Sequence, residues 1–196
     1  REDFARDEAP SGRRALRWIE RFCADGARVP GTEGAARARE RIATAVRAIG
    51  LEPNFERRRM ATARGEIEFV NLVVELPGST PRRIAWGAHY DTPDVSEDLW
   101  WQTTFGAEAV FVGANDGGSG VAVLLELLRA LKRRGPSEVG HVFLFLDGEE
   151  RIGPPPFVPT LDHPRANACF GARAQVLRWR EEQRLPAAFV LLDMVG

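Results

Sequence analysis

Apolar residues follow two rhythms in this chain: helical spacing near the start, and alternating short continuous runs and helical stretches afterwards. Gly12 to Ala24 predicts an amphipathic helix with Leu16, Ile19 and Phe22 on one face, stopped by Gly26. Thr32 is a candidate N-cap for a second helix, Ala35 to Ile49, whose Ala35, Ala38, Ile42, Val46 and Ile49 recur at helical spacing before Gly50. Glu52 to Met60 and Glu68 to Glu75 predict paired strands around the Thr62 to Gly65 turn. Further runs predict strands over Arg83 to His89, His141 to Leu146 and Ala188 to Met194. Helices over Ser119 to Arg133 and Phe170 to Glu182 fall between them, with a Pro-rich loop from Gly153 to Pro164.

Continuous apolar strands separated by helices imply a sheet covered on both faces. The expected fold is therefore α/β, a three-layer αβα sandwich with a mixed, mostly parallel central sheet. At 196 residues and 44% hydrophobic content, residues 1 to 196 suffice for a single domain, with residues 1 to 27 as a helical segment packed on it. A net charge of -1 offers no general attraction for nucleic acid, and no window is long and apolar enough to be a transmembrane segment. Cys23 and Cys169 form no disulfide framework, although a single bridge is compatible with them. The first residue is Arg1 and the last, Gly196, lies just past an apolar strand, so the domain is expected to be incomplete at its C-terminus. No targeting segment is visible; export is compatible with a removed signal peptide, and oligomeric state is not legible.

In open α/β sheets, chemistry gathers beyond the carboxyl ends of the strands. Here those ends carry His89-Tyr90-Asp91, Asp147-Gly148-Glu149-Glu150 and Asp193. Three carboxylates brought to one point after Leu146 repel one another unless a cation or shared proton offsets them, which makes a metal ion the natural candidate. His89 and Asp91, two apart, share a face in extended chain, where Asp91 can accept the ring N–H and turn the other nitrogen to a metal. Asn115-Asp116-Gly117-Gly118-Ser119-Gly120 could be a phosphate loop, but it lacks a following Lys-Ser or Lys-Thr, and Asp116 suits cations better. Adjacent Glu149 and Glu150 can divide the work of general base and metal ligand.

Taken in series, these motifs and Leu192-Asp193-Met194 resemble the zinc aminopeptidase and glutaminyl cyclase superfamily from about Arg28 onward. The resemblance implies the fold of zinc-dependent exopeptidases, one or two zinc ions, and a peptide substrate. In its two-zinc aminopeptidase form, Asp116 bridges both ions, His89 and Asp193 hold one, Glu150 holds the other, and Glu149 is the base that activates a metal-bound water. A last histidine ligand is expected beyond Gly196; His141 sits at the wrong strand end and His163 in the Pro-rich loop.

The same resemblance offers an alternative, a glutaminyl-peptide cyclotransferase with a single zinc, in which Glu149 moves a proton from the α-amine to departing ammonia and Asp193 takes a supporting role. Val110 to Ala114, Leu125 to Leu131 and the long insertion between Glu150 and Phe170 are cyclase-like, whereas Asn115 to Gly120 is aminopeptidase-like, and the insertion offers only Phe157 where cyclases usually place a tryptophan. The aminopeptidase is the leading expectation. A non-catalytic interaction domain is the third reading. Trp100 and Trp101 either line a substrate pocket or pack a long loop onto the body.

Overall fold

A computed structural model describes residues 10 to 153 and 167 to 196; Phe157 and His163 lie outside the described residues. The first helix, α1, spans Gly12–Cys23, with the Ser11 side chain accepting from the Arg14 backbone at its start. Its buried face carries Arg14, Trp18 and Phe22, while Leu16 is 63% exposed. Of the expected stripe, Phe22 and Ile19 pack on the core, and Leu16 alone falls outside it. The cause is polar: Arg14 Nη2 lies 2.7 Å from Glu126 Oε2, and that buried pair, rather than Leu16, turns toward the body. Helix α2 (Glu33–Ala48) begins at the expected Thr32 cap and buries Ala35, Ala38, Ile42 and Val46 as its spacing predicts.

Strands β1 (Asn54–Thr62) and β2 (Gly65–Leu76) form a hairpin, followed by β3 (Arg83–His89) and the short helix α3 (Leu99–Phe105). Helix α4 (Gly120–Arg134), β4 (Gly140–Leu146), α5 (Phe170–Glu181) and β5 (Ala188–Leu191) complete the order. The sheet has five strands in the order β1-β2-β4-β3-β5. It is mixed as expected, but the expected predominance of parallel pairing is not found. Strand β2 runs antiparallel to both β1 and β4, whereas β3 is parallel to β4 and β5. The hairpin reverses β2, which then enters the sheet beside β4 and runs against it.

Alternation along the central strands divides the interior in two. Leu72, Val74, Phe143 and Phe145 face α1, α2 and α4, where Trp18, Phe22, Ile42, Val46 and Leu124 meet them. Val73, Val142, Leu144 and Leu146 face the other way, toward Trp179 of α5. Three layers result. Cys23 and Cys169 are not disulfide-bonded, and among the described residues no helix is long and apolar enough to cross a membrane.

Parallel register sets the working edge. His89 is opposite Leu146, so β3 and β4 end together and deliver His89 and the Asp147 to Glu150 loop to the same rim. Gly87 is opposite Leu191, which carries Asp193 to the level of His89 one strand over.

Candidate metal centre

His89 closes β3 and is 1% exposed. Its Nε2 lies 3.0 Å from Asp116 Oδ1 and 3.5 Å from Asp193 Oδ1, and its Nδ1 lies 3.5 Å from Asp91 Oδ1. Neither ring nitrogen has a well-aligned hydrogen-bond partner. Burial alone would lower the imidazole pKa, but contacts with Asp116 and Asp91 override it and raise it to about 11.

Asp116 is positioned by an irregular turn over Ala114–Ser119, entered through Gly113 in the left-handed region at φ 55. Gly117 has φ 79, and a Cβ there would stand 3.0 Å from the Asp91 carbonyl oxygen and 3.2 Å from His89 Cε1. Only glycine lets the turn come this close to the end of β3. The His89 contact, against the effect of burial, holds the Asp116 carboxyl below its ordinary range.

Asp91 joins the two sides of the centre. It is fully buried, and its two oxygens accept from the backbone N–H groups of Glu149 (3.1 Å) and Glu150 (3.0 Å). This fixes the loop after β4 relative to His89. Glu150 is raised to about 8, first by burial and then by the carboxylates of Asp116 and Asp91. Glu149 Oε1 lies 3.6 Å from Cys169 Sγ, and the Cys169 backbone N–H donates to the Glu149 carbonyl at 3.0 Å.

The ligand atoms of His89, Asp116 and Glu150 all fall within 4.8 Å of one another. That donor set fits a divalent cation. Two buried imidazole nitrogens without good partners and a glutamic acid that burial and neighbouring carboxylates keep protonated are what a metal site looks like electrostatically before its cation is counted. One imidazole with carboxylates suits zinc, and Asp193 lies close enough to His89 to serve a second ion.

Some expectations do not carry through. Asp147 does not join the cluster: its Oδ2 accepts from the Val70 backbone at 3.0 Å and lies 3.6 Å from Arg39 Nη1, on the interior side. Gly148, at φ 65, reverses the chain between Asp147 and Glu149, so only the two glutamates reach the rim. Burial and the Asp91 charge push the Asp147 carboxyl to about 7. His141 lies at the opposite strand end, where its Nδ1 accepts from Trp86 Nε1 at 3.1 Å. Trp101 packs against Phe105 and Phe111 in its own loop, whereas Trp100 is 67% exposed. Residue-by-residue reading also missed Arg28, whose buried guanidinium lies beneath this centre and whose surrounding turn, Val29-Pro30-Gly31, carries no charge pattern to mark it.

The description of peptidase family M28 matches residues 71–196, a span that holds every imidazole and carboxylate of the cluster. The chain belongs to that family. Within it, a curated relative is the glutaminyl-peptide cyclotransferase of Drosophila melanogaster, 27% identical over 179 residues that cover 86% of this chain and 44% of that protein. This chain thus spans less than half the length of that relative. A crystal structure of glutaminyl cyclase from an Acidobacteriales bacterium superposes with a TM-score of 0.78 at 27% identity, covering 98% of this chain and 62% of that one. A zinc-dependent exopeptidase from Parabacteroides distasonis gives a TM-score of 0.75 at 26% identity, covering 96% and 63% respectively. Structures named as a glutaminyl cyclase and as a zinc-dependent exopeptidase are thus both similar to this chain.

Proposed function

We propose that this M28 protein is a zinc-dependent glutaminyl-peptide cyclotransferase, which reverses the order of preference drawn from the sequence motifs. The observation that carries the reading is the convergence of His89, Asp116 and Glu150 within 4.8 Å, with Glu149 beside them, in a chain whose relatives include named cyclases from an insect and a bacterium. Asp116 and Glu150 would hold the zinc, and His89 would either complete its ligand set or hydrogen-bond the carboxylate that does. Bound there, zinc polarises a substrate carbonyl and stabilises the negative charge that develops on its oxygen.

The remaining chemistry belongs to the protein. An N-terminal glutamine folds back so that its α-amine nitrogen attacks its own γ-carbonyl carbon; the new C–N bond closes a five-membered lactam, and the bond to the amide nitrogen breaks. Glu149 accepts the proton that the amine must lose and returns it to the departing nitrogen, which leaves as ammonia. Asp91 keeps this base in place through the two backbone amides it holds.

A second reading, the aminopeptidase, is favoured by one distance: Asp193 Oδ1 is 3.5 Å from His89 Nε2, an arrangement suited to a second zinc with Asp116 as the bridge. There Glu149 would take its proton from a water attacking the first peptide bond. The test is made on the protein expressed from its complete gene. Ammonia release from peptides with N-terminal glutamine and one zinc per chain supports the cyclase; free amino acid from dipeptide amides and two zinc ions supports the aminopeptidase. Neither activity, with no zinc retained, refutes both and leaves an interaction domain.

A further inference from the structure

Arg28 is 0% exposed, and no carboxylate shares a direct hydrogen bond with it in the described structure. Three of its donors go to main chain. Nε donates to the Tyr90 carbonyl at 2.6 Å, Nη1 to the Val112 carbonyl, and Nη2 to the Gly113 carbonyl at 2.9 Å. The guanidinium carbon lies 4.4 Å from the centre of the Phe22 ring, while the Arg28 backbone N–H donates to Thr92 Oγ1 at 2.8 Å and its carbonyl accepts from the Thr92 N–H at 3.4 Å. Cys23 is a further side-chain partner, and the charges of Asp91 and Asp116 act on the guanidinium without a direct hydrogen bond.

The three carbonyls belong to two segments that meet at the metal centre, where Gly113 also comes close to Thr92 and Gly117 to Asp91. Tyr90 follows His89 directly, and Val112 and Gly113 lead into the turn that carries Asp116. Gly113 accepts from Arg28 and from the Gly118 N–H (3.0 Å) through one oxygen, so the guanidinium closes the base of that turn. Space there is fully used: a Cβ on Gly113 would stand 2.7 Å from Arg28 Nη2 and 2.6 Å from the Asp116 carbonyl oxygen.

We infer that Arg28 is a positioning residue for the metal centre: its planar fork of donors ties the end of β3 to the Gly113 to Gly118 turn and so sets the separation of His89 from Asp116. The inference rests on the metal reading above for its functional consequence, but not for its structural content. A flat guanidinium can address three carbonyls in fixed directions at once, whereas an ammonium on a flexible stem cannot. Charge is secondary to shape.

Arg28→Lys keeps the charge and removes the fork. Zinc affinity, measured by competition with a chromophoric chelator, is expected to fall about tenfold to a hundredfold, the usual effect of disturbing groups that orient ligands, with helical content unchanged. In the metal-free protein, hydrogen exchange at the Gly118 amide should accelerate. A folded Arg28→Lys protein with zinc affinity within about twofold of the parent and unaltered Gly118 protection overturns the inference. Should that variant fail to fold, Thr92→Val, which loosens only the Arg28 backbone anchor, must weaken zinc binding and Gly118 protection in the same direction, and no change in either overturns it. If the parent itself takes up no zinc, the metal reading fails, and the Gly118 exchange alone decides the role of Arg28.

Discussion

Glu149 and Asp147 are two residues apart yet face different surroundings, and each predicts a different measurement. Glu149 lies at the rim beside the candidate metal ligands, so in the proposed mechanism Glu149→Gln removes the proton carrier while leaving His89, Asp116 and Glu150 intact. Turnover should fall by about 10²- to 10⁴-fold with zinc content unchanged, read by activity assay and metal analysis on the same sample. Full rate in that variant would reassign the base. Asp147 is buried, with one oxygen lacking a partner, and its carboxyl sits at about 7 instead of 3.8. The folded state therefore binds more protons at this site than the unfolded state between those two values, and its contribution to stability declines as pH rises through that window. Asp147→Asn keeps an acceptor for the Val70 N–H and has nothing to titrate. Urea melts at stepped pH should find the variant gaining on the parent from about pH 4 to about pH 7, then running parallel above it. A constant difference across the range would mean that Asp147 is charged in the folded protein.

At the scale of elements, the join between α1 and α4 is the least expected feature. Glu126 of α4 takes Arg14 Nη2 at 2.7 Å and the Ser11 backbone N–H at 2.8 Å, with Arg129 Nη2 at 3.3 Å, all at buried positions or partly so. Glu126→Ala would remove the carboxylate that two buried guanidinium groups share, and losing one member of such a cluster costs about 3 to 5 kcal/mol. Equilibrium urea unfolding measures it; a loss below about 1 kcal/mol would place the cluster among solvated surface pairs. This join also explains what the apolar rhythm could and could not reveal. Strands β3 and β4 and helices α2 and α4 were legible because their apolar faces point into a core on the period their geometry imposes. Helix α3 was not, since none of its residues is buried and its apolar side chains follow no core. Leu16 left the expected stripe because an ion pair outranked a leucine, and the direction of β2 depended on which strand it would join. Within the candidate site, His89, Glu149, Glu150 and Asp193 stood out by their positions after strand ends, and Asp116 by the glycine-rich turn before α4. The roles of Arg28 and of Gly148 did not, because one acts through carbonyls that any residue supplies and the other through a dihedral angle.

Over the whole molecule, the centre gathers side chains from the end of β3, the Asp116 turn, the loop after β4 and the segment after β5, stretches far apart in sequence. Asp91, Asp116, Glu149, Glu150 and Asp193 surround a single imidazole, so the fold holds mutually repelling groups together through packing elsewhere. A cation that binds only the assembled arrangement must stabilise the fold as a whole, by about 2.7 kcal/mol when free zinc is a hundredfold above its dissociation constant. Thermal unfolding should therefore move upward with zinc and return on chelation. Because ligands must shed protons to bind, and both His89 and Glu150 are raised, to about 11 and about 8, the upward shift should grow as pH increases toward 8. Asp116→Asn withdraws the carboxylate that lies nearest His89 Nε2, and the zinc-dependent shift should largely vanish while the metal-free protein still unfolds cooperatively. If zinc raises the melting temperature of that variant as much as the parent's, the ion binds elsewhere on the molecule, and the convergence of these four segments serves another purpose.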